Sequence, residues 1–325
     1  MTERIKKLTE LTLKGDMYVN PIHTEFDRTD LFLPEEAMKI KRLCEYIRNQ
    51  EPMITEYSAL TGKFKFDSSV VGDAFTRIGH RKTGEALQEF YLKPIDNIST
   101  MEWQHATADY KKVLSIGISG LVSEIEKSLK THTSESEISF LNGLKAVANA
   151  MIFWADKCAD RAAEFAKHIE NKEEKGNLEK LSKALKRVPR NAPQSFYEAV
   201  LCIYVCFSAD PDSVGTLDRY LTPFYRKDIE SGVITREEAK QYLQELFLML
   251  QSNTAKDSPY FTRGGESHFC IGGYLPDGAD GFNEVSYLIV ESLMELPTYI
   301  PEITLRWTKK TPREVFRFML DAERN

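Results

Sequence analysis

Three short segments contain the candidate side chains for sharing a proton with a substrate or holding one of its hydroxyl groups. His105 stands just before a predicted helix, and Asp210 lies in the acidic segment DPDSVGTLDR with Asp212 as a close competitor. Ser267 and His268 precede a predicted strand. Histidine exchanges its proton near neutral pH, and a carboxylate can hold a hydroxyl or ammonium group. These residue types would suit proton-assisted loss of water from a small polar molecule.

Each segment also has an ordinary structural explanation. His105 could pack at a helix start through a local hydrogen bond, and Asp210 could close a turn at a helix end. The segment RGGESHFCIGG could be a surface loop, with its first glycine pair allowing movement. Spacing alone leaves both explanations open, so no catalytic residue and no metal ligand is assigned.

The composition narrows the class of protein. The 325 residues are 42% hydrophobic and 28% charged, which is typical of a globular chain with one large or two smaller domains. The net charge is −6 with Lys and Arg scattered, so the basic stripe of a nucleic-acid-binding protein is missing. No apolar run approaches the roughly 18 residues of a membrane span, and no secretory signal is visible. We therefore expect neither a nucleic acid nor a membrane as partner.

The cysteines favour a reducing compartment. Five are present at irregular spacing, which does not indicate a disulfide framework. Cys202 and Cys206 lie four residues apart in the apolar run FYEAVLCIYVCF, where a free cysteine packs as a small hydrophobic residue. We expect this pair in the core rather than at a metal, and the protein in the cytoplasm.

The apolar pattern predicts a helix-rich α/β fold. Residues 34–50, 107–130 and 135–172 have helical spacing, whereas SHFCIGGYL at 267–275 and the later PEITLRW are typical of short strands. Parallel strands need long crossovers, which are usually helical, so the alternation of strand and helix indicates parallel β/α units.

Local signals suggest the boundaries within this pattern. Ser195 and Thr235 are expected helix N-caps, and Gly117 and Gly120 suggest close packing against another element. Residues 170–193 are expected to form a solvated helix pair and loop. The aromatic and proline residues around Pro223 are expected to anchor a link between helices.

The chain is expected to divide near residue 100. Residues 1–100 should form an irregular and helical N-terminal region, and residues 101–325 a helical part followed by β/α units. The final helix begins at TPREV and is cut off at residue 325, before the strand that would complete its unit. The sequence therefore predicts a truncated second domain.

Four segments occur in a characteristic order with suitable gaps: VPRNAPQSFYEAV (188–200), GTLDRYLTPFYRKDIESGVITREEA (215–239), CIGGYLPDGADGFNEVSYLIVE (270–291) and PEITLRWTKKTP (301–312). Together they resemble the N-terminal half of the glycyl radical enzymes. This group includes pyruvate formate-lyase and the glycerol, choline and hydroxyproline lyases or dehydratases. The resemblance covers about residues 100–325.

The resemblance implies the N-terminal half of a ten-stranded α/β barrel, the PFL domain, which is made of two antiparallel five-stranded halves. It implies a radical on a C-terminal glycine that passes to a cysteine at the barrel centre, which takes a hydrogen atom from a small polar organic substrate. It also implies an activating iron–sulfur enzyme that uses S-adenosylmethionine to install this radical. The radical enzyme itself would bind no metal, and the complete protein would be a homodimer.

Both radical-carrying segments of the family are missing from these 325 residues. No cysteine follows a glycine, although the family's cysteine loop carries a Gly-Cys pair, and RVPRN at 187 does not match the family's Arg-Val-x-Gly-Tyr. The chain is expected to be inactive alone. It could be one half of a split enzyme whose second chain carries both loops, a truncated gene product, or a fragment of a longer chain. The alternative is a non-catalytic, degenerate half that acts as an interaction subunit.

The resemblance also implies roles for the polar residues. His105 corresponds to a histidine that lines the substrate cavity in dehydratase-like members, although Gln104 replaces the usual glycine before it. Ser267 and His268 would face the barrel interior. His105 together with Asp210 favours C–O cleavage over formate production, so a dehydratase or lyase that cleaves C–O, C–N or C–C bonds is preferred to a formate acetyltransferase.

The segment GTLDR resembles the family motif Gly-Arg-x-Asp-Gln, with Thr216 and Arg219 departing from it. In the dehydratase branch, an acid that contacts substrate stands a few residues before this motif. Counting back five residues from Gly215 gives Asp210. Asp218, within the motif, is expected to be structural and to tie the loop to backbone amides.

Overall fold

The computed structural model describes residues 1–19, 33–61, 107–208, 213–257, 261–262 and 267–324. Helices dominate this part of the chain, and two short strands lie among the last of them. In chain order the elements are α1 (Glu3–Lys14), α2 (Glu35–Asn49), α3 (Tyr110–Leu129), α4 (Glu135–Ala166), α5 (Lys172–Leu185), α6 (Phe196–Phe207), α7 (Leu217–Glu230), α8 (Arg236–Gln251), β1 (Phe269–Gly272), α9 (Glu284–Met294), β2 (Ile303–Arg306) and α10 (Arg313–Arg324).

The strands are parallel and follow one another in space as they do in the chain. β1 pairs with β2, with Phe269 opposite Ile303 and Gly272 opposite Arg306. On the other side of β1, Gly215 forms a parallel bridge with Phe269, and Ser213 forms one with Thr107. Four chain segments therefore run side by side in the order 107, 213, 269 and 303, connected by helices. The predicted parallel β/α units are confirmed.

The helices form a core against one face of these strands. α6 is buried on almost every side, which explains why FYEAVLCIYVCF is apolar without helical periodicity. Phe247 of α8 stacks on Phe269 of β1, with ring centroids 5.8 Å apart. Cys202 is completely buried in α6, as expected. The pKa of its thiol is raised well above the usual range, most by its hydrogen bond with Cys206 and next by its burial.

α4 is the longest helix and lies between α2, α3 and α5. Its start is fixed by Ser134, whose side chain accepts a hydrogen bond from the amide of Glu137. Trp154 is fully buried and donates through Nε1 to the carbonyl oxygen of Gln50. Within the described ranges, α4 is the one helix long and apolar enough to cross a membrane by length and composition, a property that core helices share.

Two local expectations were wrong. The polar stretch after α4 contains one helix, α5, whose Leu178 and Leu181 are fully buried, so this helix packs on α4 instead of lying free in solvent. The link around Pro223 is part of the 14-residue helix α7. Thr222 and Tyr225 flank this proline and are buried, so packing holds the helix together across a residue that cannot donate a backbone hydrogen bond.

The predicted N-caps are confirmed. The Ser195 side chain accepts from the amide of Glu198 at the start of α6. Thr235 and Glu238 form a reciprocal capping box at the start of α8. α1, α2 and residues 51–61 contribute to the same hydrophobic core as the later helices, and the division at residue 100 stays a prediction.

Candidate functional site

The starts of the parallel segments lie at one edge of the sheet. Thr107, Ser213, Phe269 and Ile303 begin these segments, and parallel pairing aligns their amino ends. Ser267 and His268 lie at this edge, directly before β1. His105, Asp210 and Asp212 lie outside the described residues, although the chain positions that follow them, Thr107 and Ser213, are paired here.

Ser267 has a left-handed backbone with φ of 55° and is 6% exposed. Few residues other than glycine adopt this conformation, and it turns the chain immediately before the strand. Strained backbone of this kind occurs at functional sites, where the surrounding packing maintains it. Ser267 is thus held in an unusual conformation at the edge where the candidate residues were expected.

His268 is half-buried and is anchored through its backbone. Its carbonyl oxygen accepts hydrogen bonds from the Val214 amide at 3.3 Å and from the Ser213 hydroxyl at 3.1 Å. Phe269, the next residue, points into the helical core, and side chains alternate along an extended chain. His268 therefore lies on the face of the sheet opposite that core, as does Cys270.

The other end of the strands contains a buried carboxylate that holds α7 to the sheet. Asp218 is fully buried, and its Oδ2 accepts from the Gly272 amide at 2.8 Å and the Ser286 hydroxyl at 2.6 Å. Its Oδ1 accepts from the Arg219 amide at 2.8 Å. The predicted structural role of Asp218 is confirmed. Ser286 was missed because it lies 68 positions away, on α9, where no local pattern connects it to α7.

Burial raises the pKa of Asp218, and the hydrogen bonds from Ser286, Gly272 and Arg219 oppose this shift only in part. A carboxyl group whose pKa is raised on folding stabilises the native state most below its unfolded pKa of about 4, and that contribution is lost as the pH rises through the folded pKa. We therefore expect the stability difference between the wild type and Asp218→Asn, measured by urea unfolding, to fall as the pH rises from about 4 to 7.

Asp321→Asn is the control for this pH series, because Asp321 is exposed on α10. Its stability relative to the wild type should stay nearly constant over the same range. If the stability difference between Asp218→Asn and the wild type is also constant over this pH range, the pKa of Asp218 is not raised.

The family model described as pyruvate formate lyase-like matches residues 66–325. The chain belongs to this family. The match begins 35 residues before the predicted boundary at residue 101 and continues through the described strands and α10.

Curated relatives of this chain include isethionate sulfite-lyase from Bilophila wadsworthia, 31% identical over 245 residues. That alignment covers 69% of this chain and 29% of the relative. Trans-4-hydroxy-L-proline dehydratase from Clostridioides difficile is 27% identical over 243 residues, covering 66% of this chain and 29% of the relative. This chain thus aligns with less than a third of the length of either enzyme.

A solved structure shows the same fold. The glycerol-bound, B12-independent glycerol dehydratase from Clostridium butyricum superposes with a TM-score of 0.79 at 20% identity. The superposition covers 100% of this chain and 50% of that one. The fold predicted from the sequence, the N-terminal half of a glycyl radical enzyme barrel, is confirmed.

Proposed function

We propose that this chain supplies the N-terminal wall of the substrate cavity in a glycyl radical enzyme of the dehydratase or lyase type. The observation that carries the proposal is the alignment of the strand starts, because Ser267 and His268 lie at the same edge as Thr107 and Ser213, which follow His105 and Asp210 in the sequence. Four polar residues from three distant chain segments would then surround one small molecule.

The residues would act on a hydroxylated substrate through hydrogen bonds and proton sharing. A carboxylate at Asp210 or Asp212 would accept a hydrogen bond from a substrate hydroxyl group, and a histidine at 105 or 268 would donate a proton to a leaving oxygen. Ser267 would position a second polar group of the substrate. Proton transfer of this kind contributes about 10²–10⁴-fold to a rate.

The names of the relatives support a small polar substrate. They give isethionate, trans-4-hydroxy-L-proline and glycerol as the molecules acted on or bound, and each of these carries a hydroxyl group. Loss of sulfite from a carbon skeleton breaks a C–S bond, so the proposal extends from C–O, C–N and C–C cleavage to C–S cleavage.

The radical chemistry would depend on groups outside these 325 residues. The family's glycyl radical, once installed by an activating enzyme, would supply the hydrogen-abstracting chemistry. A Gly-Cys loop and a glycine loop from outside these 325 residues would complete the cavity, since neither motif occurs among them. The second candidate function is a non-catalytic interaction subunit.

The test uses this chain assembled with a chain that supplies both radical loops, after activation. Asp210→Asn is expected to lower turnover by about 10²-fold or more while the glycyl radical signal in electron paramagnetic resonance keeps its wild-type intensity. Asparagine keeps the size of the side chain but removes the charge, so binding and chemistry change while radical formation does not.

Asp212→Asn is the matched control, two positions away. If Asp212→Asn loses turnover and Asp210→Asn does not, the side-chain carboxylate that contacts the substrate is Asp212. If both variants turn over at the wild-type rate, neither Asp210 nor Asp212 contacts the substrate. An activated assembly that carries the radical but turns over no hydroxylated substrate would favour the interaction subunit.

A further inference from the structure

Two arginines converge on one small space at the carboxyl end of β1. A Cβ atom added to Gly273 would lie 3.1 Å from Nη2 of Arg219, and 3.1 Å and 3.3 Å from Cβ and Nε of Arg306. Because Gly273 has no side chain, both arginines approach its backbone closely, and Nη2 of Arg219 and Nε of Arg306 lie near the same point. Arg219 comes from the start of α7 and Arg306 from the end of β2, so two separate elements bring the positive charges together.

Arg219 is fixed in place with donors to spare. Its Nη2 donates to the carbonyl oxygens of Gly272 at 2.6 Å and Tyr274 at 2.8 Å, which aligns the guanidinium group with the turn after β1. Its Nε is buried and has no hydrogen-bond partner. Arg306 is exposed, and its side chain makes no hydrogen bond or ion pair with any residue in the described part of the chain.

The acids closest to this place are already engaged. Asp218 accepts from Gly272, Ser286 and Arg219, as described above. Asp280 accepts from the Phe282 amide at 3.0 Å and from the hydroxyl groups of Thr308 and Thr311. Neither acid forms an ion pair with Arg219 or Arg306 among the described residues. Two like charges thus lie side by side, and neither is in an ion pair within the described part of the chain.

Lys310 adds to the positive charge of this end of the sheet. Its Nζ donates to the carbonyl oxygen of Gly278 at 2.6 Å, in the turn that leads back to Gly281. A Cβ on Gly281 would lie 3.1 Å from Nη2 of Arg219. The Arg219 guanidinium is therefore enclosed between two glycines, where any larger side chain would displace it.

We propose that Arg219 and Arg306 bind a small oxyanion, a carboxylate or a phosphate-type group, between their guanidinium groups. Guanidinium groups match such anions because their N–H donors form a planar fork, and charge-assisted hydrogen bonds of this kind are strong. The site lies at the far end of β1 from His268, roughly 13 Å away for four extended residues. It is distinct from the residues of the proposed substrate cavity.

The test measures anion binding to the full 325-residue chain by isothermal titration calorimetry at constant ionic strength. Inorganic phosphate and acetate are titrated separately, with chloride as the reference, so that phosphate-type and carboxylate ligands are distinguished. We expect saturable binding of at least one of the two oxyanions in the range of about 1–10 mM. Arg306→Gln and Arg219→Gln are each expected to weaken it by about tenfold or more.

Arg317→Gln is the matched control, since Arg317 is an exposed arginine on α10 and its replacement makes the same change in net charge. It should bind like the wild type. Absence of saturable binding to the wild type, or equal weakening in all three variants, would overturn the proposal. If Arg219→Gln does not fold, the affinity of Arg306→Gln for the anion is the deciding measurement. This variant should fold, because the exposed Arg306 side chain contributes no internal hydrogen bond.

Discussion

Replacing Arg4 by Met is expected to lower the free energy of unfolding by about 3–5 kcal/mol. Nη1 of Arg4, on α1, lies 2.5 Å from Oε2 of Glu245 on α8, and the two side chains are 11% and 0% exposed. Methionine keeps much of the apolar volume of arginine but removes the charge. The Glu245 carboxylate would then remain in the interior without its cation. The resulting loss of stability is larger than the free energy that an exposed ion pair contributes.

The pair is the centre of a wider set of hydrogen bonds. Oε1 of Glu245 accepts from the amides of Ala59 and Leu60, both at 2.8 Å, and Nη1 of Arg4 also donates to the Tyr57 carbonyl oxygen at 3.0 Å. One carboxylate and one guanidinium therefore join α1, residues 57–60 and α8. Relative to the wild type, Arg4→Met should accelerate the hydrogen exchange of the α1 amides more than that of the α6 amides.

Lys6→Met provides the control on the same helix, and urea unfolding provides the measurement for both variants. Lys6 lies 3.6 Å from Glu3, and these side chains are 54% and 74% exposed. Exposed pairs of this kind contribute at most about 1 kcal/mol, so Lys6→Met should stay close to the wild type. Similar losses in the two variants would contradict a buried, energetically important pair.

The sequence predicted the features that depend on neighbouring residues. The Ser195 and Thr235 caps follow from side chains and amides three positions apart, and the strand–helix alternation follows from apolar patterns within each segment. The structural role of Asp218 was predictable as well, because the resemblance identified its motif. These signals were enough for the fold class and for the parallel β/α units at the C-terminal end.

The features that join distant segments could not be predicted in this way. Arg4 and Glu245 are 241 positions apart, and neither stands in a pattern that indicates a partner. α5 was expected to be solvated because its sequence is polar, yet a few leucines on one face are enough to attach it to α4. The two arginines beside Gly273 come from segments 87 residues apart, so only the folded chain brings them together.

Replacing Gly117 by Ala is expected to destabilise the chain by about 3–5 kcal/mol. Gly117 interrupts α3 with φ of 66° and ψ of 175°, a backbone conformation that side chains disfavour. A Cβ there would lie 2.6 Å from the Arg190 carbonyl oxygen and 2.7 Å from Cα of Asn191. Both are backbone atoms of the segment between α5 and α6, which cannot move aside as a flexible side chain could.

The kink at Gly117 also redirects hydrogen bonds between the same two segments. The amides of Ile118 and Ser119 donate to the carbonyl oxygens of Pro189 and Arg190, both at 2.9 Å, in place of acceptors within the helix. A methyl group that pushed these segments apart would leave four backbone groups without partners. Urea unfolding and the hydrogen exchange of the Ile118 and Ser119 amides would measure both effects.

Gly176→Ala is the matched control, because Gly176 lies inside α5 with nothing within 4 Å of an added Cβ. In a regular helix, alanine in place of glycine should stabilise the chain by about 0.5–1 kcal/mol. The same chemical change is thus expected to act in opposite directions at two positions. If both variants are stabilised, α3 does not contact residues 189–191 closely, and the kink is not imposed by that contact.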